Sequence, residues 1–175
     1  MSAVSTNTTE LDQLALIQQL GRIGYWEFDP DERRYFLPQH SLKLLSSLIG
    51  YSCESAPNLR DLMIDPERRR FKSALDLAIS GSLPLNLELQ LESHNSEHPT
   101  ILVKGLPLER DGQRRFGGTF HDITHEKRVE AEREEVLNQL HAVVKGLPIG
   151  VTVFDEELRL LFWNDHIYDI LGLPQ

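Results

Sequence analysis

Leu85-Asn86-Leu87-Glu88-Leu89-Gln90-Leu91-Glu92 alternates apolar and polar residues without a break. Successive side chains of a strand point to opposite faces, so this run offers one face to a core and one to water. The polar loop Ser93 to Pro99 leads to a second strand, Thr100 to Leu108, and Arg110-Asp111-Gly112-Gln113 is a tight-turn signal before a third, Arg115 to His121. Three strands joined in this way predict an antiparallel meander.

Upstream, Trp26 and Phe28 of Gly24-Tyr25-Trp26-Glu27-Phe28-Asp29 point one way, while Glu27 and Asp29 point the other. Asp29-Pro30-Asp31-Glu32 is turn chemistry, and Arg34-Tyr35-Phe36-Leu37 returns as the second strand of a hairpin. Leu42, Leu44, Leu45, Leu48 and Ile49 suit a short helix closed by Gly50, and Leu59 to Ile64 a further helical turn. Asp65 and Pro66 read as N-cap and first residue of a longer helix, with Phe71, Ala74, Leu75, Ala78 and Ile79 as its buried stripe and Gly81 as its end. Arg68-Arg69-Arg70 reads as a solvated face of that helix. Before the first strand, Leu11, Leu14, Ala15, Ile17 and Leu20 have helical spacing, and the Ser/Thr/Asn-rich start is expected to be flexible.

After the meander the period changes to that of a helix, capped by Asp122 or Thr124 and running to Gly146. Val129, Val136 and Val143 are seven apart, with Leu140 and Leu147 as a second seam. This is heptad spacing over a short span, with Glu126 and Arg133 in its early positions. Val151 to Phe154 and Leu160 to Trp163 then flank the turn Asp155-Glu156-Glu157, with a short helix from Ile167 to Leu171.

The chain has 175 residues and a formal net charge of −9. A surface that tracks phosphates needs excess positive charge, so nucleic acid is not an expected partner, and neither is a polybasic membrane anchor. No apolar run approaches the ~18 residues of a membrane span, and no Lys or Arg precedes Arg22, so neither insertion nor a signal peptide is expected. One cysteine, Cys53, fits a reducing, cytoplasmic setting.

This order of elements resembles the PAS domain family. Gly24 to Asp29 resembles the opening strand of PAS domains, and Asp122-Ile123-Thr124 followed by Glu126-Lys127 resembles the Asp-(Ile/Val)-Thr signature at the start of their signalling helix. Pro148 to Asp155, then Trp163-Asn164, then Leu171-Gly172-Leu173-Pro174, resembles the start of a second PAS domain. The resemblance implies an α+β fold: a five-stranded antiparallel sheet with flanking short helices, a long linker helix and a partial second PAS hairpin. The boundaries it implies are a flexible N-terminus over 1–13, a PAS domain over 14–124, a linker helix over 125–146 and an incomplete second domain over 147–175. The residues after Leu147 suffice for a hairpin and one helix, so the chain is expected to be the N-terminal part of a larger receptor or a truncated product.

The function implied is a non-catalytic sensory and dimerisation module. Asp122, Ile123 and Thr124 would relay the signal, and Val129, Val136, Leu140, Val143 and Leu147 would form the seam of a homodimer. Tandem PAS domains of this kind most often feed a histidine kinase, and next most often a cyclic-dinucleotide synthase or phosphodiesterase. A pure interaction domain and, more distantly, a small α+β enzyme are the alternatives.

Little else carries chemistry. Gly117-Gly118 lies inside a strand and suits close packing rather than phosphate. His121 and His125 straddle a strand-to-helix junction that spoils metal geometry, and His94 and His98 sit in a polar loop. Lys127-Arg128-Val129-Glu130 after His125-Glu126 lacks the Arg and Pro of a kinase phosphoacceptor motif. Tyr51-Ser52-Cys53-Glu54 does not resemble the Gly-x-Asn-Cys-Arg-Phe pattern of flavin-binding light sensors, and the helix from Pro66 to Gly81 has no His for haem. Flavin and haem are therefore disfavoured. A small ligand of unknown identity could bind against Trp26, Phe28, Leu87, Leu89, Ile101, Val103, Phe116 and Phe120, the candidates for the concave face of the sheet, unless these side chains fill the interior themselves.

Overall fold

A computed structural model describes residues 16, 18, 20–53, 58–81, 83–94, 97–110 and 112–172. The start over 1–13, expected to be flexible, and most of the helix expected from Leu11 to Leu20 lie outside them. The chain divides into two compact units, Met1–His125 and Glu126–Gln175.

In the first unit the hairpin β1 (Ile23–Asp29) and β2 (Arg34–Phe36) precedes helix α1 (Gln39–Ile49), a 3-10 turn (Leu59–Leu62) and helix α2 (Asp65–Gly81). The meander β3 (Leu85–Gln90), β4 (Thr100–Arg110) and β5 (Gln113–Asp122) completes it. All neighbours pair antiparallel, in the order β2-β1-β5-β4-β3, so the first strand of the chain lies against the last strand of the sheet.

The hairpins form where the turn chemistry requires. Arg110 pairs with Gln113 across a two-residue turn in which Gly112 takes φ 73°, a region glycine enters without strain. At the β1–β2 turn, the Asp29 carboxylate accepts the Asp31 and Glu32 amides at 2.9 and 3.0 Å. Helix α1 stops at Gly50, whose left-handed backbone lets its amide reach the Ser46 carbonyl at 3.1 Å.

Two details differ from the sequence expectation. The carbonyl of Ile64 accepts the Arg68 amide at 3.0 Å, so α2 begins at Asp65, the expected cap, one residue before the expected first position Pro66. Nor is Arg68-Arg69-Arg70 simply a solvated face. Arg68 donates to the Met63 carbonyl and to Glu92, both at 2.6 Å, and Arg70 to the Glu88 carbonyl at 3.1 Å, tying α2 to the β3 side of the sheet.

The helices cover one face of the sheet. Phe71, Leu75 and Ala78 of α2 and Leu45, Leu48 and Ile49 of α1 bury against it, with Leu59, Leu62 and Met63 from the connecting turn. Trp26 is central: its ring centroid lies 6.1 to 6.4 Å from those of Phe116, Phe71 and Tyr35. The glycines make room for it. A Cβ on Gly105 would come within 2.8 Å of the Trp26 and Phe116 rings, and one on Gly118 would strike the Lys104 carbonyl. Close packing is thus the role of Gly118, which pairs with both Trp26 and Gly105.

In the second unit, α3 (Thr124–Gly146) runs into a hairpin of β6 (Thr152–Phe154) and β7 (Leu160–Trp163), then α4 (His166–Leu171). All three β6 residues are exposed, and no residue of α3 is buried.

Candidate functional site

The residues singled out as pocket candidates come together on the helix-facing side of the sheet. Trp26, Phe28, Leu89, Ile101, Val103, Phe116 and Phe120 are buried in one cluster, and Leu87, between the buried Leu85 and Leu89 on the edge strand, is half-buried against it. Their side chains pack on one another and on the helices. The Trp26 indole donates to the Thr119 carbonyl at 3.3 Å, which settles the one polar atom that this large ring carries inward. Cys53 is also buried, and burial pushes its thiol pKa up, which disfavours the reactive thiolate.

The second group, Asp122-Ile123-Thr124, is where the sheet ends and α3 begins, and its polar atoms are densely connected. The Asp122 side chain is buried, and one carboxylate oxygen meets the Arg22 guanidinium at 2.6 Å. The other oxygen accepts the Thr124 amide at 3.0 Å and its hydroxyl at 2.5 Å. This satisfies one of the amides that a helix start leaves without an intrahelical partner, and it sets a negative charge at the positive end of α3. Thr124 also lies 3.4 Å from the Thr100 carbonyl, but a hydroxyl has one proton, and the shorter, charge-assisted bond to Asp122 claims it. The same hydroxyl oxygen accepts the Thr100 amide at 3.0 Å, and the Ile123 amide donates to the Thr100 carbonyl at 2.9 Å.

Arg22 and Thr100 complete this junction, and the sequence does not point to either. The Arg22 carbonyl accepts the Asp122 amide at 3.2 Å, and its backbone sits at φ 49°. That conformation is uncommon for a residue with a side chain, and here contacts at both ends of the residue hold it. The signal in the sequence is slight: one cation at the entry to the first strand, with its partner a hundred positions away.

The third group lies on α3. Val129, Val136, Leu140, Val143 and Leu147 are all exposed, Val136 at 63% and Val143 at 62%. Leu137 is exposed beside them. Further on, Asn164 is fully buried. Its amide donates to the Val144 carbonyl in the last turn of α3 at 3.1 Å and to the Ile149 carbonyl at 2.8 Å, while its oxygen accepts the Val151 amide at 2.8 Å. His141 stacks on Phe162 with ring centroids 5.6 Å apart. Of the other histidines, His121 is half-buried on β5 and His125 is exposed in the first turn of α3; among the described residues no group of three His, Cys, Asp or Glu is placed to hold a metal.

No family model matches the chain, and no curated protein matches it. Solved structures do. A sensory box histidine kinase/response regulator from Burkholderia thailandensis aligns with a TM-score of 0.56 at 20% identity, over 74% of this chain and 98% of that one. An RNA-binding light-oxygen-voltage receptor aligns with a TM-score of 0.51 at 14% identity, over 71% of this chain and 36% of that one. The fold is the PAS fold. The PAS sheet therefore has its helical cover over the pocket candidates and its exit at Asp122. Among the described residues, no helix is long and apolar enough to cross a membrane.

Proposed function

We propose that the chain is the sensing and dimerising input region of a cytoplasmic signal-transduction receptor. Its PAS domain spans 14–124, its linker helix 125–146 and the start of a second PAS domain 147–175, with a histidine kinase as the downstream output. The observation that supports this best is the junction. Asp122 and Thr124 bond at once to the residue before β1, to the first residue of β4 and to the first turn of α3. A shift in the sheet that moves Thr100 or Arg22 displaces the start of the helix with it. A stiff helix of about 20 residues carries that displacement ~30 Å, and two packings separated by a few kcal/mol are enough for a switch.

The exposed α3 stripe supports dimerisation, because an apolar helix face that no described residue covers can serve as the seam of a parallel helix pair. The kinase output rests on the kind of protein in which the same fold occurs, the sensory box histidine kinase.

Sedimentation of the full chain tests the reading. The wild type should dimerise, and Val136→Lys with Leu140→Lys should be monomeric with the PAS fold intact, because charges in a buried seam cost several kcal/mol. A wild-type monomer at high concentration, or an unchanged dimer in the double variant, would contradict it.

A further inference from the structure

The interior of the PAS unit is packed, yet one side of it opens. Between the β1–β2 turn, the 3-10 turn and α2 lies a cavity of about 140 Å³. Apolar cavities of about 150 Å³ hold a benzene-sized body. Phe28, Tyr35 and Leu75 form its apolar wall, the first two with ring centroids 4.7 Å apart. Arg33, Arg60 and Lys72 stand around it, and Asp76 is the single carboxylate among its walls. The chain carries a net charge of −9, so a cavity with three cations to one anion runs against the whole.

These cations are poorly employed within the fold. The side chains of Arg33 and Lys72 make no hydrogen bond or ion pair among the described residues, and Arg60 reaches Asp61 only at 3.5 Å. Arg33 sits at φ 54°, a backbone conformation that a residue with a side chain seldom adopts. The Tyr35 hydroxyl also has no hydrogen-bond partner among the described residues. Burial raises its pKa, so it stays a proton donor. Arg60 and Lys72 also line a neighbouring, wider depression of about 420 Å³, whose other walls are Arg68, Arg69, Asp61 and Asp65.

We propose that this cavity binds a small organic carboxylate, with the apolar body against Phe28, Tyr35 and Leu75 and the charge on Arg33, Arg60 and Lys72. Such a ligand matches both parts of the lining: an apolar body of about this volume faces Phe28, Tyr35 and Leu75, and one carboxylate offsets the excess positive charge. The proposal deepens the sensory reading above by naming its ligand class, but binding here does not depend on the relay or on the dimer.

Titration calorimetry on the full chain tests it with benzoate, benzamide and inorganic phosphate as probes. Benzoate should bind one per chain. Benzamide, of the same shape without charge, and phosphate, charged without an apolar body, should each bind at least about tenfold more weakly. Arg33→Asn, which tolerates the left-handed backbone, and Lys72→Gln on the exposed side of α2 should each weaken benzoate by about tenfold without altering the fold. The proposal is overturned if benzoate does not bind at millimolar concentration, if benzamide or phosphate binds as well, or if both variants bind like the wild type. Benzoate binding without any effect on self-association or on α3 would leave this site standing and count against the relay.

Discussion

The chain contains two hairpins built in the same way, and they meet different fates. In β1–β2, Asp29 accepts turn amides and a residue at positive φ, Arg33, closes the turn; in β6–β7, Asp155 accepts the Glu157 and Arg159 amides and Leu158 takes φ 62°. Yet β1 buries Trp26 and Phe28, while Val153, Phe154 and Leu160 remain exposed. The difference lies in what each hairpin meets. β1 has β5 along its other edge and two helices over its face, whereas among the described residues β6–β7 is a two-stranded sheet. Local chemistry makes the hairpin; the strands and helices that arrive later make the core. A lone hairpin is marginal in water, and Asn164 holds this one by bonds to backbone rather than by buried area.

The largest expected effect measures that contrast directly. Phe120→Ala should cost about 3–5 kcal/mol in urea unfolding of the PAS unit, and Phe154→Ala under about 0.5. Comparable losses would show the second hairpin to be as packed as the first. Glycine replacements should follow the same order. A methyl on Gly118 meets backbone, so Gly118→Ala should cost about 2–3 kcal/mol, whereas one on Gly150 meets the flexible ends of Ile167 and Ile170 and should cost less.

The two ends of α3 sharpen the comparison. Asp122→Ala strips the first turn of a charged acceptor and leaves Arg22 unpaired, for about 2 kcal/mol. Asn164→Ala frees the Val144 carbonyl and should cost about 1–2 kcal/mol, confined to the second unit. If the Asn164→Ala loss spreads equally over both units by hydrogen exchange, the division at His125 fails.

The smallest effect is one of pH. Tyr25 donates to the Glu27 carboxylate, and burial first, then this bond, raises its pKa from 10.0 to about 12. The folded state then holds the proton more tightly than the unfolded chain. This contribution is complete below pH 10 and declines as pH rises through about 12. Ultraviolet titration should show Glu27→Gln lowering that pKa; an unchanged value would remove the carboxylate as a cause.

Much of the fold is legible in the sequence because period and turns are local signals. The alternation of Leu85, Leu87 and Leu89 and the Asp111-Gly112 turn need no partner to be read. The pocket candidates are legible as one face for the same reason. Arg22 and Thr100 are not, because their bonds to Asp122 and Thr124 join distant parts of the chain. The cationic cavity is hidden likewise: Arg33, Arg60 and Lys72 lie on three separate elements, and only the fold brings them together.

Hydrogen exchange of the full chain with and without Asp122→Ala tests the relay most directly. The account predicts faster exchange in the first turns of α3 that continues along the helix to its last turn and the Asn164 contacts. Faster exchange confined to Thr100, Arg22 and the residues around Thr124, with the rest of α3 unchanged, would contradict it.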